Sequence, residues 1–282
     1  MLTPLNAILA ICLAAVSLGF YAFWIEPRRL IVTELTLPLK DLDEKIRLVM
    51  IADPQPSGPH HTAERLQRIM ARAAALQGDI IVLLGDYVSI GGIKTTFTEP
   101  ADTVTALGRL KAPMGVYAVL GNHDWWWGGR KMRHLLEAEG IVVLEDDARL
   151  ARYGAKALWI AGLPDPVTRR YDLRATLSRT DARAPVILLS HTPDVFPEVP
   201  AGVALTLAGH THGGQVYIPL IGRPVVPSKY GERYARGHIV EHGRHLFVSS
   251  GIGTAVLPVR FLTPPELVVI TLTPAATPKQ TS

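Results

Sequence analysis

The chain has 282 residues and a nearly balanced charge, with 29 Lys and Arg against 25 Asp and Glu. The sequence contains no basic cluster interleaved with stacking aromatic residues, so no nucleic-acid partner is expected. Its one cysteine, Cys12, excludes an internal disulfide and a thiolate metal cage. Any metal must therefore be held by oxygen and nitrogen ligands.

The amino-terminal segment differs in composition from the rest of the chain. The stretch from Leu5 to Trp24 carries no charge and is long enough to cross a hydrocarbon core. Tyr21 and Trp24 stand where an interfacial aromatic belt would lie. This pattern predicts one transmembrane helix within an anchor formed by residues 1–29.

The charges that flank this helix predict its orientation. Arg28 and Arg29 follow the apolar stretch, whereas no Lys or Arg precedes it. By the positive-inside bias, the globular part is expected in the cytoplasm, on a single-pass protein of the cell inner membrane. A cleavable signal peptide, which would release a secreted enzyme, is the alternative. The absence of a basic region before the apolar stretch argues against it.

Beyond the anchor, short β-branched and aliphatic runs alternate with helical patterns, which is typical of an α/β domain. This domain is expected over residues 30–272, followed by a disordered tail over residues 273–282. The predicted strands are Ile31 to Leu37, Ile46 to Ala52, Ile80 to Leu84, Val116 to Leu120, Ala157 to Ala161, Val186 to Leu189, Val203 to Leu207, His245 to Ser249 and Leu267 to Leu272. The predicted helices cover Ala63 to Leu76, Val104 to Leu110, and Met132 to Leu136 with a stop at Gly140.

Five of the predicted strands end in side chains that commonly bind metals. These side chains are Asp53 and Gln55, Asp86, Asn122 with His123 and Asp124, His191, and His210 with His212. Because the carboxyl ends of strands in an open α/β sheet form one crevice, residues far apart in sequence converge there. A single aspartate at such a position typically caps a turn, and a single histidine is typically structural. Five coincident strand ends favour a metal site.

The mixture of donors indicates which metals fit. Asp53 and Asp86 offer anionic oxygens, Asn122 and Gln55 offer amide oxygens, and the histidines offer imidazole nitrogens, a set that suits Mn, Fe, Zn or Mg. One aspartate can bridge two cations, and two ions about 3.5–4 Å apart can clamp an in-line displacement at phosphorus. The glycine pair after His212 would let the backbone approach the ions or the substrate closely.

The blocks "VMIADPQ", "GDY", "GNHD", "SH" and "GHTHGG", in this order, resemble the calcineurin-like metallophosphoesterase superfamily from about Ile31 to Leu272. The apolar helix and the stretches "WIEPRRL", "GHTHGGQ", "SSGIGT" and "RFLTPPEL" are similar, more narrowly, to its membrane-anchored bacterial branch. The resemblance implies an α/β fold, a four-layer αββα sandwich of two mixed sheets, with a dinuclear metal site at one sheet edge.

The resemblance also implies a role for each site residue. One ion would take Asp53, Gln55, Asp86 and His212, and the other Asp86, Asn122, His191 and His210. His123 would donate a proton to the leaving oxygen or hydrogen-bond the developing charge, and Asp124 would orient its ring.

One position departs from the pattern of the superfamily, which usually has histidine where this chain has Gln55. An amide oxygen still ligates but is harder than imidazole, so Mn is favoured over Zn. His60 or His61 would compensate by folding back toward the site. The favoured expectation is that both lie in the loop before the helix at Ala63 and face solvent.

Three further features have two interpretations each. Trp125 to Trp127 could form an apolar wall that receives an acyl chain or the membrane surface. The favoured interpretation is ordinary packing beneath the helix at Lys131. Asp165 faces the site or, more simply, shapes a turn. The basic residues of the irregular region Ile218 to Gly237 could bind a phosphate or an anionic headgroup. The favoured interpretation is a solvated loop. Its basic residues are Arg223, Lys229, Arg233 and Arg236.

The sequence therefore predicts a membrane-anchored phosphoesterase that hydrolyses a phosphodiester or pyrophosphate bond with two divalent metal ions. The resemblance extends to enzymes with lipid-linked substrates such as UDP-diacylglucosamine, and the residues that bind substrate are not identified. The alternative is a membrane-tethered binding or scaffold protein on an inactive phosphoesterase fold. Inactive relatives are expected to lose ligands first, and here one position departs, by a residue that still ligates, which favours the enzyme.

Overall fold

The computed structural model describes residues 3–93 and 96–275. Its strands are β1 (Ile31–Leu39), β2 (Ile46–Ile51), β3 (Ile80–Leu83), β4 (Val116–Ala118), β5 (Val142–Val143), β6 (Asp147–Tyr153), β7 (Lys156–Gly162), β8 (Val186–Leu189), β9 (Val203–Ala208), β10 (Gly237–Glu241), β11 (Arg244–Val248) and β12 (Glu266–Pro274). The α-helices are α1 (Pro4–Phe20), α2 (Ala63–Ala75), α3 (Pro100–Leu107), α4 (Asn122–Ala138) and α5 (Leu173–Leu177).

The strands form two six-stranded mixed sheets. The order is β1-β12-β2-β3-β4-β5 in the first sheet and β10-β11-β9-β8-β7-β6 in the second. In the first sheet β12 is antiparallel to β2, while β2, β3, β4 and β5 run parallel. In the second sheet β7, β8, β9 and β11 are parallel, and β6 and β10 are antiparallel edge strands.

The two sheets pack face to face, with helices outside them. Alternate residues of β2 show why its sequence is apolar from Leu48 to Ile51, since side chains along a strand point to opposite faces. Leu48 and Met50 lie in the core between the sheets, and Val49 and Ile51 lie in the core shared with α2, α3 and α4. A third core joins the outer face of the second sheet to α5 and to a 3₁₀ turn at Pro193–Glu198. These four layers confirm the predicted sandwich.

All nine predicted strands are present, and three strands were not predicted. The additional strands, β5, β6 and β10, are each at the edge of a sheet. Helix α4 begins at Asn122, well before the predicted start, with a break at Gly128. The expected tail over residues 273–282 is wrong at its start, because β12 extends to Pro274 and Ala275 N–H donates to Leu39 C=O. Its remainder lies outside the described residues.

The amino-terminal segment Pro4–Arg28 is long and apolar enough to cross a membrane. Helix α1 begins after Thr3, whose hydroxyl accepts the amide of Asn6 at 3.3 Å, and Pro4 occupies the first helical turn. After α1 the chain continues through a π-turn at Tyr21–Ile25 and a 3₁₀ turn at Glu26–Arg28.

The end of this segment is hydrogen-bonded to the folded domain. The Glu26 carboxylate is buried and accepts the amides of Leu262 at 2.8 Å and Thr263 at 2.5 Å. The amide of Arg260 donates to Ala22 C=O at 3.0 Å. We call these contacts the anchor junction.

Replacing Glu26 with Ala should loosen the anchor junction. Two amides would lose a charged acceptor, and each such hydrogen bond is worth about 1.5–3 kcal/mol. We expect amide hydrogen exchange at Leu262 and Thr263 to accelerate by roughly tenfold or more, measured by mass spectrometry on the full chain. Glu34→Ala, which removes an exposed carboxylate from β1, is the control. Equal exchange in both variants would show that Glu26 does not hold this segment.

Candidate metal centre and active site

The site lies where the carboxyl ends of strands from both sheets meet. Asp53 and Gln55 follow β2, Asp86 follows β3 and Asn122 follows β4 in the first sheet, while His191 follows β8 and His210 and His212 follow β9 in the second. We call these seven residues the candidate ligands. All are buried except His210, which is partly exposed. Each sheet therefore supplies part of the site, whereas the sequence argument placed it at the crevice of one open sheet.

Donor atoms converge around His191. Its Nε2 lies 3.0 Å from Asn122 Oδ1, 3.1 Å from His210 Nδ1 and 3.5 Å from Asp86 Oδ2. Its Nδ1 lies 2.7 Å from Leu84 C=O, so Nδ1 donates to the backbone and Nε2 faces the cluster. Four side chains from both sheets thus meet at one point.

The buried carboxylates beside His191 favour a positive charge within this cluster. Burial alone would lower the pKa of His191, but the carboxylates of Asp86 and Asp53 raise it to about 10. Burial alone would raise the pKa of Asp86, but the charges of His191 and His123 hold it below its usual range. A proton on His191 thus balances the buried carboxylates, and a cation placed among the same donors would do so as well.

Asp86 is at the centre of the candidate ligands. Its Oδ2 accepts from Gln55 Nε2 at 2.6 Å and lies near His191, and its Oδ1 accepts the amide of His123 at 2.9 Å. A Cβ at Gly121 would collide with the Asp86 carboxylate, so glycine is required there. Asp86 therefore contacts a candidate ligand from its own sheet, Gln55, and lies near one from the other sheet, His191.

The remaining candidate ligands include buried atoms that no described residue satisfies. Gln55 Oε1 and His212 Nδ1 have no hydrogen-bond partner among the residues the structure describes. Asp53 accepts the amide of His210 at 3.0 Å, and burial raises its pKa to about 7. An unsatisfied buried acceptor costs about 1–3 kcal/mol. Since these are oxygen and nitrogen donors beside a buried carboxylate, the residues fit divalent ions.

The backbone is strained at five of the seven candidate ligands. The φ angles are 49° at Asp53, 29° at Gln55, 58° at Asp86, 68° at His210 and 50° at His212. A positive φ is uncommon for residues other than glycine, and such strain, about 1–3 kcal/mol per residue, concentrates at functional sites. The fold thus holds these side chains in conformations that local propensity disfavours.

His123 lies in the first turn of α4, with its ring beside Asp86. Its Nε2 lies 4.0 Å from Asp86 Oδ2, and its Nδ1 accepts the amide of Ile90 at 3.0 Å. The neutral ring therefore carries its proton on Nε2, which faces the candidate ligands. Burial lowers the pKa of His123, although the Asp86 charge opposes this effect.

The contacts of Asp124 correct the expectation that this residue orients the ring of His123. Its carboxylate accepts the amides of Asp86 at 2.8 Å, Tyr87 at 2.8 Å and Gly121 at 2.9 Å. Asp124 therefore fixes the loops on either side of the site, and the amide of Ile90 orients the ring.

His60 and His61 do not face solvent, contrary to the favoured expectation. Their exposed fractions are 7% and 5%, and the ring of His60 packs edge-on against Trp24 at 5.3 Å. Within the described residues, no hydrogen bond joins either ring to a candidate ligand. Packing against Trp24, in the segment that leads to the anchor junction, contributes to the burial of His60.

The three tryptophans divide between the two interpretations. Trp125 and Trp127 pack against the core between the first sheet and its helices, and Arg169 lies over the Trp125 ring at 4.4 Å. Trp126 is 57% exposed, and its ring centroid is 4.8 Å from that of His123. The favoured packing role therefore describes two of them, while Trp126 borders the site.

The basic residues of the irregular region Ile218 to Gly237 mainly pair with acidic side chains, and Asp165 mainly contacts a nearby turn. Arg233 pairs with Glu241 at 2.7 Å, and Asp165 accepts the amide of Thr168 at 2.9 Å in a turn. The other ion pairs of the region join Arg223 to Glu232 at 3.6 Å and Arg236 to Glu266 at 3.8 Å. These pairings, and the exposure in whole or part of nearly all residues of the region, favour the solvated loop over a phosphate-binding role.

Sequence reasoning did not identify Arg260 as a residue that supports the site. Its guanidinium is fully buried and donates to Ser250 C=O at 2.8 Å, Gly253 C=O at 2.5 Å and Thr263 C=O at 2.9 Å. The amide of Gly253 in turn donates to Asp53 C=O at 2.8 Å. The sequence signal for it was the "RFLTPPEL" stretch, which begins at Arg260.

Comparison with known proteins agrees with this geometry. Residues 46–214 match the family model of calcineurin-like phosphoesterases. The chain is 31% identical over 258 residues to the uncharacterized metallophosphoesterase YkuE of Bacillus subtilis (strain 168), a match that covers 89% of this chain and 88% of that protein.

Two further relatives are informative. The chain is 31% identical over 191 residues to the phosphodiesterase YaeI of Escherichia coli (strain K12), covering 62% of this chain and 64% of YaeI. It is 27% identical over 262 residues to a transmembrane protein with metallophosphoesterase domain from Danio rerio, covering 86% of this chain and 57% of that protein. On the family model and the similarity to YkuE, the chain belongs to the calcineurin-like metallophosphoesterase family, a family of hydrolases that use divalent metals to cleave phosphoesters.

Proposed function

We propose that this phosphoesterase acts through two divalent ions held by the seven candidate ligands. One ion would be held by Asp53, Gln55, Asp86 and His212, and the other by Asp86, Asn122, His191 and His210. The convergence of donor atoms on Asp86 and His191 in a buried pocket carries this proposal. When bound, such ions activate the attacking water and neutralise charge on the phosphoryl oxygens.

Gln55 supports a preference for Mn over Zn. Its Nε2 donates to Asp86, which leaves the unsatisfied Oε1 as the atom available to an ion. An amide oxygen is a harder donor than imidazole, and harder donors favour Mn over Zn.

His123 is proposed to hydrogen-bond the charge that develops on the leaving oxygen. Because Ile90 N–H donates to Nδ1, the proton of the neutral ring is on Nε2, on the side of the candidate ligands. Burial lowers the pKa of His123 and so keeps the ring neutral, and its Nε2–H would then donate a hydrogen bond to the charge that develops on a leaving oxygen. Asp124 is proposed as a positioning residue, since it fixes the backbone of Asp86 and Gly121.

We propose a phosphodiester or pyrophosphate bond as the target and a lipid-linked molecule, such as a UDP-diacylglucosamine, as the substrate. The phosphodiesterase named among the relatives supports the bond type. The apolar segment Pro4–Arg28 supports an amphiphilic substrate, because it would keep the site near a bilayer. Arg28 and Arg29 after this segment support a cytoplasmic domain at the inner membrane.

The purified full chain in detergent should hydrolyse bis-p-nitrophenyl phosphate when Mn is added. We expect a chelator to abolish turnover, Mn to restore it, and metal analysis to find two ions per chain. The chelated protein before Mn is added back is the control. No turnover with Mn, Fe, Zn or Mg would contradict the proposal. A chain that never takes up two ions would instead favour the scaffold alternative.

A further inference from the structure

An apolar groove lies next to the candidate metal centre. Its volume is about 460 Å³, within the range of about 300–1,000 Å³ that is usual for small-molecule sites. Valines, prolines and a leucine dominate the lining, among them Val216, Val225, Leu257 and Val259. His212, a candidate ligand, lies in the same wall. The groove therefore borders a candidate ligand of the proposed metal centre.

Another part of the same wall adjoins the anchor junction. Val259 precedes Arg260, whose amide donates to Ala22 C=O at 3.0 Å at the end of the apolar segment. Phe261 packs edge-on against Tyr21 at 6.2 Å, and its amide donates to Gln215 C=O at 2.9 Å. The groove is therefore placed between the end of the apolar segment and the metal centre.

Apolar side chains are exposed in and beside the groove. Val225 is 70% exposed, Val256 59% and Leu257 42%. Leu220 and Ile221, in the turn that links Ile218 to Gly222, are still more exposed, with Ile221 at 73%. A contiguous apolar patch of this kind marks an interaction with a ligand or a membrane.

We propose that this groove binds one acyl chain of an amphiphilic phosphoester that enters from the bilayer, while its phosphorus lies at the metal centre. The inference rests on the proposed function and adds the residues that recognise the lipid part. The apolar lining offers no charged partner to a sugar or a nucleotide, whereas it matches the chemistry of a hydrocarbon chain. The position of the groove beside both the anchor junction and His212 selects an acyl chain over a second protein.

The test is a series of alkyl p-nitrophenyl phosphate diesters with ethyl, butyl and hexyl chains, assayed below their micelle-forming concentrations with the full chain and Mn. Each fully buried methylene favours binding by about fourfold. With partial burial we expect kcat/KM to rise at least about tenfold from ethyl to hexyl. The readout is the ratio of kcat/KM for the hexyl diester to kcat/KM for the ethyl diester, which does not depend on the amount of active protein.

Two groove variants and one matched control test whether the groove causes the rise in kcat/KM with chain length. Val225→Asp and Val256→Asn should reduce the ratio to within about twofold of unity, because they place polar groups along the alkyl chain. Asn suits the φ of 60° at Val256. Val240→Asp replaces an exposed valine on β10, outside the groove, and should keep the wild-type ratio. It also controls for partition of the substrates into detergent.

Three results would overturn the inference. A flat series in the wild type, or a ratio that both groove variants retain, would show that the groove does not bind the chain while the phosphoesterase activity stands. A hexyl-to-ethyl ratio that falls as far in Val240→Asp as in the groove variants would show the same. Failure to hydrolyse any member of the series or bis-p-nitrophenyl phosphate would instead reject the proposed function itself.

Discussion

Asp86→Asn is expected to lower kcat for bis-p-nitrophenyl phosphate by about 10⁴-fold or more, because the carboxylate belongs to both proposed ion sites and each ion supplies several kcal/mol of transition-state stabilisation. Asn keeps the shape of the side chain and is tolerated at a φ of 58°. It removes the negative charge around which the buried donors are arranged. Metal analysis should find fewer than two ions per chain.

Asp146→Asn is the matched control for this change. Asp146 also has a positive φ, of 49°, and accepts the amide of Asp172 at 2.9 Å, which an asparagine oxygen accepts equally well. This variant should keep two ions and wild-type turnover. If Asp86→Asn retained both ions and kept turnover within about tenfold of wild type, Asp86 would not bridge the two ions.

His123→Ala is expected to lower kcat by about 10²–10⁴-fold while both ions stay bound. The reason is the direction of the ring, whose proton-bearing Nε2 faces the candidate ligands because Ile90 holds Nδ1. The loss should be larger for a phosphodiester with an alcohol leaving group than for p-nitrophenolate, which needs little protonation. Turnover of both substrate types and metal content together test the role.

His134→Ala is the control on the same helix, since His134 is exposed on α4. It should change neither turnover nor metal content. Loss of an ion from His123→Ala would make His123 a ligand, and an equal loss of turnover for both leaving groups would argue against a role at the leaving oxygen.

The interior strands were predictable because they are almost entirely apolar. β2, β3, β8 and β9 each have neighbours on both sides and cores on both faces, so nearly every residue is buried. The three strands that sequence missed are edge strands. β6, with the sequence "DARLARY", and β10, with "GHIVE", mix charged and apolar residues because they border solvent, and β5 has only two residues.

The convergence of the candidate ligands was predictable because all of them lie within a few residues of the end of an apolar strand, and their role as ligands stays a prediction. The early start of α4 was not, because its first turn has ligand-type residues and tryptophans in place of an amphipathic pattern. Sequence also could not show whether Asp124 contacts a ring or the backbone, since both contacts use the same carboxylate. The burial of His60 depends on Trp24, which belongs to another element and lies far earlier in the chain.

The anchor junction leaves no flexible linker between the apolar helix and the catalytic domain. Chains with Gly- and Ser-rich linkers let a tethered domain sample a wide volume of solution. Here Glu26 and Ala22 are hydrogen-bonded directly to residues 260–263, so the domain has a fixed height and tilt relative to its helix. With the proposed anchor in a bilayer, the search for substrate would be two-dimensional, and molecules that diffuse laterally in the same leaflet would meet the domain in one fixed orientation.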